Sequence, residues 1–185
     1  TKGPPKADYE YIVVHITVGS SPKGAVKTLG EQGFAYHYLV DYDGSFVKAV
    51  DPNFAAIPHG GTNDSNAKAI GISLVNSFNE GIPGKQYKNY TVPDKTEWYK
   101  SNRSESEGLL LEPFPAKQVD GLIKLIKTLK NSKGKKSRTS NIKFITGHEN
   151  IKGSKQDPGP AFDPFWDKVV KETGLAAHPE FGIKG

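Results

Sequence analysis

Five histidines and no cysteine set the terms on which this chain could do metal chemistry. Thiolate ligands and disulfides are both excluded, so a metal would be held by His, Asp, Glu or backbone oxygen. The histidines are His15, His37, His59, His148 and His178. A catalytic zinc site needs three protein ligands and a fourth position left for water. His15 lies within the apolar run Ile12-Val13-Val14-His15-Ile16, a poor place for an unpaired imidazole. By itself, a histidine in a strand is more often a hydrogen-bonded core residue. His148 follows Gly147 at the end of a short apolar segment, and strand ends are where sites tend to be assembled. Asp157 sits in Lys155-Gln156-Asp157-Pro158-Gly159-Pro160, where Pro and Gly fix the backbone around a carboxylate. Asp before Pro is also a common turn start. His148-Glu149 does not open a zincin helix, because HExxH would need His at 152 and the chain has Lys152.

The elements that must position these residues follow from pattern. Tyr9–Thr17 reads as a buried strand, and Ser20–Gly33 as a helix ending at Gly. Ala35–Val40 and Ser45–Val50 form a hairpin across Asp43-Gly44. Lys68–Val75 is another apolar strand. Pro115–Lys130 has Val119, Leu122, Ile123, Ile126 and Leu129 at helical spacing. Asn141–Thr146 is a short strand leading into Gly147-His148, and Pro164–Thr173 is a last helix stopped by Gly174. Strands alternating with helices predict an α/β fold, a mixed central β-sheet flanked by helices. Residues 1–8 read as an extended lead-in, 9–173 as one domain and 174–185 as a C-terminal tail. The segment Asn76–Glu112 is long for a loop and reads as an insertion. It is expected to shape one wall of a substrate groove, with Phe78, Tyr87, Tyr90, Trp98 and Tyr99 against the ligand and Lys85, Lys88 and Lys95 available to carboxylates. The alternative is a surface excursion whose aromatics anchor it to the core.

Gly147 to Asp163 resembles the signature of the type 2 N-acetylmuramoyl-L-alanine amidases, the family of phage lysozyme-like amidases and peptidoglycan recognition proteins. Val14-His15, Ala35-Tyr36-His37-Tyr38, Asp43-Gly44, Pro58-His59 and Ile70-Gly71-Ile72 match that family in order, over roughly residues 9 to 173. The loop from His148 to Asp157 is one residue shorter than the commonest family pattern. The resemblance implies zinc held by His15, His148 and Asp157, with Tyr36 and Lys155 as catalytic residues and His59 in contact with substrate. His37 is assigned to packing and hydrogen bonding, and His178 to no role. The family uses either a Tyr at the place of Tyr36 or a Glu on the central strand for water activation. That Glu position is Ser73 here, which puts the weight on Tyr36. The implied reaction is hydrolysis of the amide between N-acetylmuramic acid and L-alanine in peptidoglycan. The rivals are a peptidoglycan-binding module without activity and a different zinc hydrolase of the same polymer.

The chain has 185 residues and a formal charge of +5, which favours an anionic partner. Much of the excess lies from Lys130 through Lys133, Lys135, Lys136 and Arg138, a solvated loop in composition. No aromatic interleaving or helix-turn-helix pattern accompanies the charge, so nucleic acid is not expected. No apolar run approaches the roughly 20 residues needed to cross a bilayer. No signal peptide is visible. The chain starts at Thr1 and holds no Met, the pattern of a processed or excised chain. The expected setting is the bacterial cell envelope, reached by secretion, periplasmic export or phage delivery, and a monomer is expected.

Overall fold

The computed structural model describes residues 8–19, 21–31, 35–53, 57, 62–87, 90–132 and 137–184. The lead-in up to residue 7 lies outside them, as do His59, Lys88, Lys133, Lys135 and Lys136.

Two parallel strands form the centre. In both β1 (Tyr11–Ile16) and β4 (Ala69–Leu74) every residue is buried, as expected of strands covered on both faces. Between them in the chain come α1 (Pro22–Glu31), the hairpin strands β2 (Tyr38–Val40) and β3 (Phe46–Lys48), and the short helix α2 (Asn63–Ala67). After β4 the excursion predicted at 76–112 contains two small hairpins. One pairs β5 (Gln86–Tyr87) with β6 (Tyr90–Thr91), the other β7 (Tyr99–Lys100) with β8 (Leu110–Leu111). The chain continues through α3 (Ala116–Lys130), β9 (Phe144–Gly147), α4 (His148–Ile151), α5 (Trp166–Thr173) and β10 (Ala176–Ala177). The main sheet runs β10-β9-β1-β4-β2-β3. All its neighbours are parallel except β2 and β3, so it is mixed, as expected.

Strand alternation divides the core. Ile12, Val14 and Ile16 of β1, with Ile70, Ile72 and Leu74 of β4, pack with Val119, Leu122 and Ile126 of α3 and with Trp166 and Val169 of α5. Tyr11, Val13 and Ala69 pack on the other side with Phe144, Ile151 and Phe181. By the same alternation His15 falls in the Tyr11–Val13 series. The hairpin turn seats directly on α3. Gly44 adopts φ +81°, and a Cβ built on Gly121 would lie 2.3 Å from the Gly44 carbonyl oxygen. The mid-helix glycine is there for this backbone contact.

The aromatics of the excursion are largely spent on anchoring it. Trp98 is buried and its indole N–H donates to the Pro93 carbonyl at 3.0 Å. Tyr90 and Tyr87 stack on Tyr42 with ring centroids 4.2 and 5.7 Å away. Phe78 and Tyr99 pack against the main core. Lys85 and Lys95 lie over the rings of Tyr87 and Trp98. These contacts favour the anchoring alternative over a wall of aromatics facing a ligand. The excursion is closed at its neck, where Asn76 Nδ2 donates to the Glu112 carbonyl and the Ser77 N–H to the Glu112 carboxylate. Residues 176–182, read as part of a tail, supply the sixth strand and a bridge between His178 and Gly182.

Candidate metal centre

Parallel pairing brings two histidines side by side. Val14 of β1 pairs with Gly147 of β9, so His15 and His148, the next residue on each chain segment, meet at the strand ends. Their ring centroids are 4.4 Å apart. On the other flank His15 pairs with Ser73 of β4. The loop after α4 returns Asp157 to both rings: His15 Nδ1 lies 3.1 Å from Asp157 Oδ2, and His148 Nδ1 3.0 Å from Oδ1. One ligand atom from each of the three residues lies within 4.8 Å of the other two. Burial lowers the pKa of His15, with the charges of His148 and Lys155 adding to it, and outweighs the hydrogen bond and charge of Asp157. Burial pushes the Asp157 carboxyl up, but the hydrogen bonds from His148 and His15 prevail and hold it well below the usual carboxylate range. A neutral imidazole and an ionised carboxylate are the forms in which these groups ligate a metal.

Tyr36 joins this group. Its ring centroid is 4.9 Å from that of His15, and its hydroxyl donates a long hydrogen bond to the Ile16 carbonyl at 3.4 Å. Burial, and then the charge of Asp157, push the phenol up to about 12. The Ser73 hydroxyl lies near enough to moderate that rise without meeting full hydrogen-bond geometry. The strand expected from Ala35 begins only at Tyr38, and His37, just before it, turns away from the group that Tyr36 joins. It is fully buried, its Nδ1 accepts from the Gly71 N–H at 3.0 Å, and its ring meets Tyr9 edge-on. Lys155 is exposed on the loop between His148 and Asp157 and borders a cavity of about 90 Å³ with Phe78, Arg103 and Pro160. The structure thus brings together His15, His148, Asp157 and Tyr36 and sets Lys155 at the rim.

A sequence profile of the N-acetylmuramoyl-L-alanine amidase family matches residues 5–160. The chain belongs to this family. Among solved structures it is similar to the N-acetylmuramoyl-L-alanine amidase LysC from Clostridium intestinale, with 19% identity, 95% of this chain and 91% of that one covered, and a TM-score of 0.62. It is also similar to the amidase AmiD from E. coli, solved with anhydro-N-acetylmuramic acid-L-Ala-D-gamma-Glu-L-Lys. That match has 22% identity, covers 92% of this chain and 59% of AmiD, and has a TM-score of 0.60. A bacteriophage endolysin from Thermus scotoductus matches with 20% identity, coverage of 94% and 92%, and a TM-score of 0.54. At these identities the likenesses establish the amidase fold. No match to a curated protein was found.

One feature of this amidase-family site escaped sequence reasoning. Glu149, next to His148, is buried and faces Arg103 from the excursion, with Nη1 and Oε2 2.5 Å apart. The same guanidinium grips Asp163 through Nη2 and through Nε, the latter at 2.9 Å. Burial pushes both carboxyls up against the pull of Arg103. Arg103 stands in a polar stretch with no periodicity, 46 and 60 positions from its partners, so no local pattern points to it.

Proposed function

We propose that this chain is a zinc-dependent N-acetylmuramoyl-L-alanine amidase that hydrolyses the amide joining the lactyl group of N-acetylmuramic acid to L-alanine of the stem peptide. The observation that carries this reading is the convergence of His15, His148 and Asp157 in a chain of the amidase family. Two imidazole nitrogens and one carboxylate oxygen form a donor set suited to zinc, with a place left for a small ligand. When bound there, zinc supplies a Lewis acid that acidifies a coordinated water and polarises the amide carbonyl.

The protein's own groups then have defined tasks. Tyr36 keeps its proton at neutral pH and is a hydrogen-bond donor toward an oxygen that gains charge as the amide is attacked. Lys155 adds a positive charge at the rim and a second proton source for the departing amine. His59 is assigned to substrate contact from the family resemblance. The substrate is peptidoglycan or its muropeptides, met in the bacterial envelope by a monomer. Among the described residues no helix is long and apolar enough to cross a membrane.

The deciding experiment is mass spectrometry of purified peptidoglycan after digestion, with and without a chelator. Chelator-sensitive release of stem peptides that begin at L-alanine is expected. Cleavage within the glycan or within the peptide, or release untouched by chelation, would reject the reading. Metal analysis gives a second check. The wild type should carry about one zinc per chain, and His15→Ala, His148→Ala and Asp157→Ala should each lose most of it.

A further inference from the structure

The excursion between β4 and α3 sends Arg103 to residues that flank the candidate ligands His148 and Asp157. Arg103 is nearly buried, and its fork closes on Glu149 and Asp163 at once. Glu149 is covalently joined to His148, and its backbone N–H donates to the Asp157 carbonyl at 2.9 Å. Residue 149 is therefore tied to His148 and Asp157, and Asp163 follows Asp157 by six positions. Residues 152–156 are exposed, and the Lys155 N–H to Lys152 carbonyl bond is the one backbone bond within that turn among the described residues. The Lys152 N–H to His148 carbonyl and Glu149 N–H to Asp157 carbonyl bonds close the loop at its ends, so its exposed middle depends on what holds its flanks.

We propose that Arg103 is a positioning residue for the metal centre, clamping both flanks of the His148–Asp157 loop so that the two ligands face His15. The inference rests on the zinc reading of this site. It also assigns the excursion a task its aromatics do not perform. A buried carboxylate such as Glu149 persists only when it is paired, and the planar guanidinium pairs it and the partly buried Asp163 with directional bonds that an ammonium cannot reproduce. Both edges of the fork are occupied, so Arg103 is not a substrate-binding cation. Partners that orient metal ligands from behind typically change metal affinity by about 10- to 100-fold when removed.

Arg103→Ala would strand the buried Glu149 and the partly buried Asp163 and could unfold the chain, so two milder variants make the test. Arg103→Lys keeps the charge and loses the fork. The triple variant Arg103→Met, Glu149→Gln, Asp163→Asn removes the charges while keeping similar volumes. Two quantities are read in the purified chain: zinc affinity by competition with a chromophoric chelator, and amide hydrogen exchange of the metal-free protein. Zinc affinity should fall by about 10- to 100-fold in both variants. Exchange at Glu149 and along 148–157 should quicken while β1 keeps its protection. Wild-type zinc affinity in folded variants, or exchange that rises equally in β1 and in the loop, would overturn the proposal. A wild-type chain that binds no zinc would instead overturn the zinc reading, an outcome distinct from wild type and variants binding alike.

Discussion

Tyr36 stands against His15 as a half-buried phenol, whereas Lys155 is exposed on the turn between His148 and Asp157, and substitution should separate them. Tyr36→Phe removes one oxygen and leaves the ring packing in place. Zinc content and Tm should stay near wild type while kcat falls about 100-fold or more, the usual worth of a positioned proton donor. Steady-state kinetics on a muropeptide checks this, and a near-normal kcat would move the proton chemistry to another residue. Lys155→Met should cost catalysis through lost charge with no loss of stability, because the ammonium makes no ion pair with any described residue. How these residues could be read from sequence depended on their chemistry. His148 and Asp157 stood out through the resemblance of the Gly147–Asp163 segment to the amidase signature, since Gly and Pro around them mark by themselves only a strand end and a turn. His15 was not readable alone, since an imidazole in an apolar strand has a bland explanation until a partner strand is known. Arg103 was invisible, because its meaning lies wholly in tertiary contacts.

At the scale of elements, close approach of backbone decides what the helix α3 can tolerate. Alanine favours a helix over glycine by about 1 kcal/mol, so Gly121→Ala would stabilise an isolated α3. In the folded chain the added methyl would meet Gly44 backbone atoms at 2.3 to 2.8 Å, and these cannot swing aside as a side chain can. Overpacking of this kind costs about 1–3 kcal/mol, so the contact outweighs the helix preference. A lowered Tm in Gly121→Ala is expected, and a raised one would mean that the hairpin does not rest on α3. The excursion invites a parallel test. Trp98→Ala should lose about 3–5 kcal/mol of stability by denaturant titration while zinc affinity and kcat/KM of the folded fraction persist. Loss of kcat/KM in a stable variant would restore the aromatic wall that the sequence suggested. Composition could not separate these readings, because aromatics serve equally to bind a ligand and to anchor a long loop.

At the scale of the molecule, the sheet was legible where one strand carried its own signal and illegible where pairing alone defines it. β1, β4 and the β2–β3 hairpin announced themselves by apolar runs and a turn, and α3 by its spacing. β10 is two exposed alanines with no strand signature, and only its bonds to β9 give it a place. The segment after it is held by more than that pairing. The Gly182 carbonyl accepts from Thr146 Oγ1 at 2.8 Å and from Asn150 Nδ2 at 3.1 Å, on either side of His148, and Lys184 pairs with Glu105 of the excursion. His178 organises this segment. Its ring stacks on Phe181, meets Tyr11 and Phe144 edge-on, and its Nδ1 accepts from the N–H groups of Glu180 and Phe181. Burial lowers its pKa below the ordinary 6.5, against the opposing charges of Glu180 and Glu10. As pH falls, the unfolded chain therefore takes up this proton before the folded chain does. The stability tied to His178 is complete above that ordinary value and declines as pH drops below it. Protonation also removes the acceptor that fixes the turn. Asparagine offers a carbonyl oxygen in place of Nδ1 and does not titrate. Amide exchange of residues 177–182, corrected for intrinsic rates and followed from about pH 8 to about pH 5, should show protection lost on acidification in the wild type. In His178→Asn the protection should start lower, because the ring packing is gone, and should vary less with pH. An equal pH dependence in the two chains would assign the acid sensitivity to other groups.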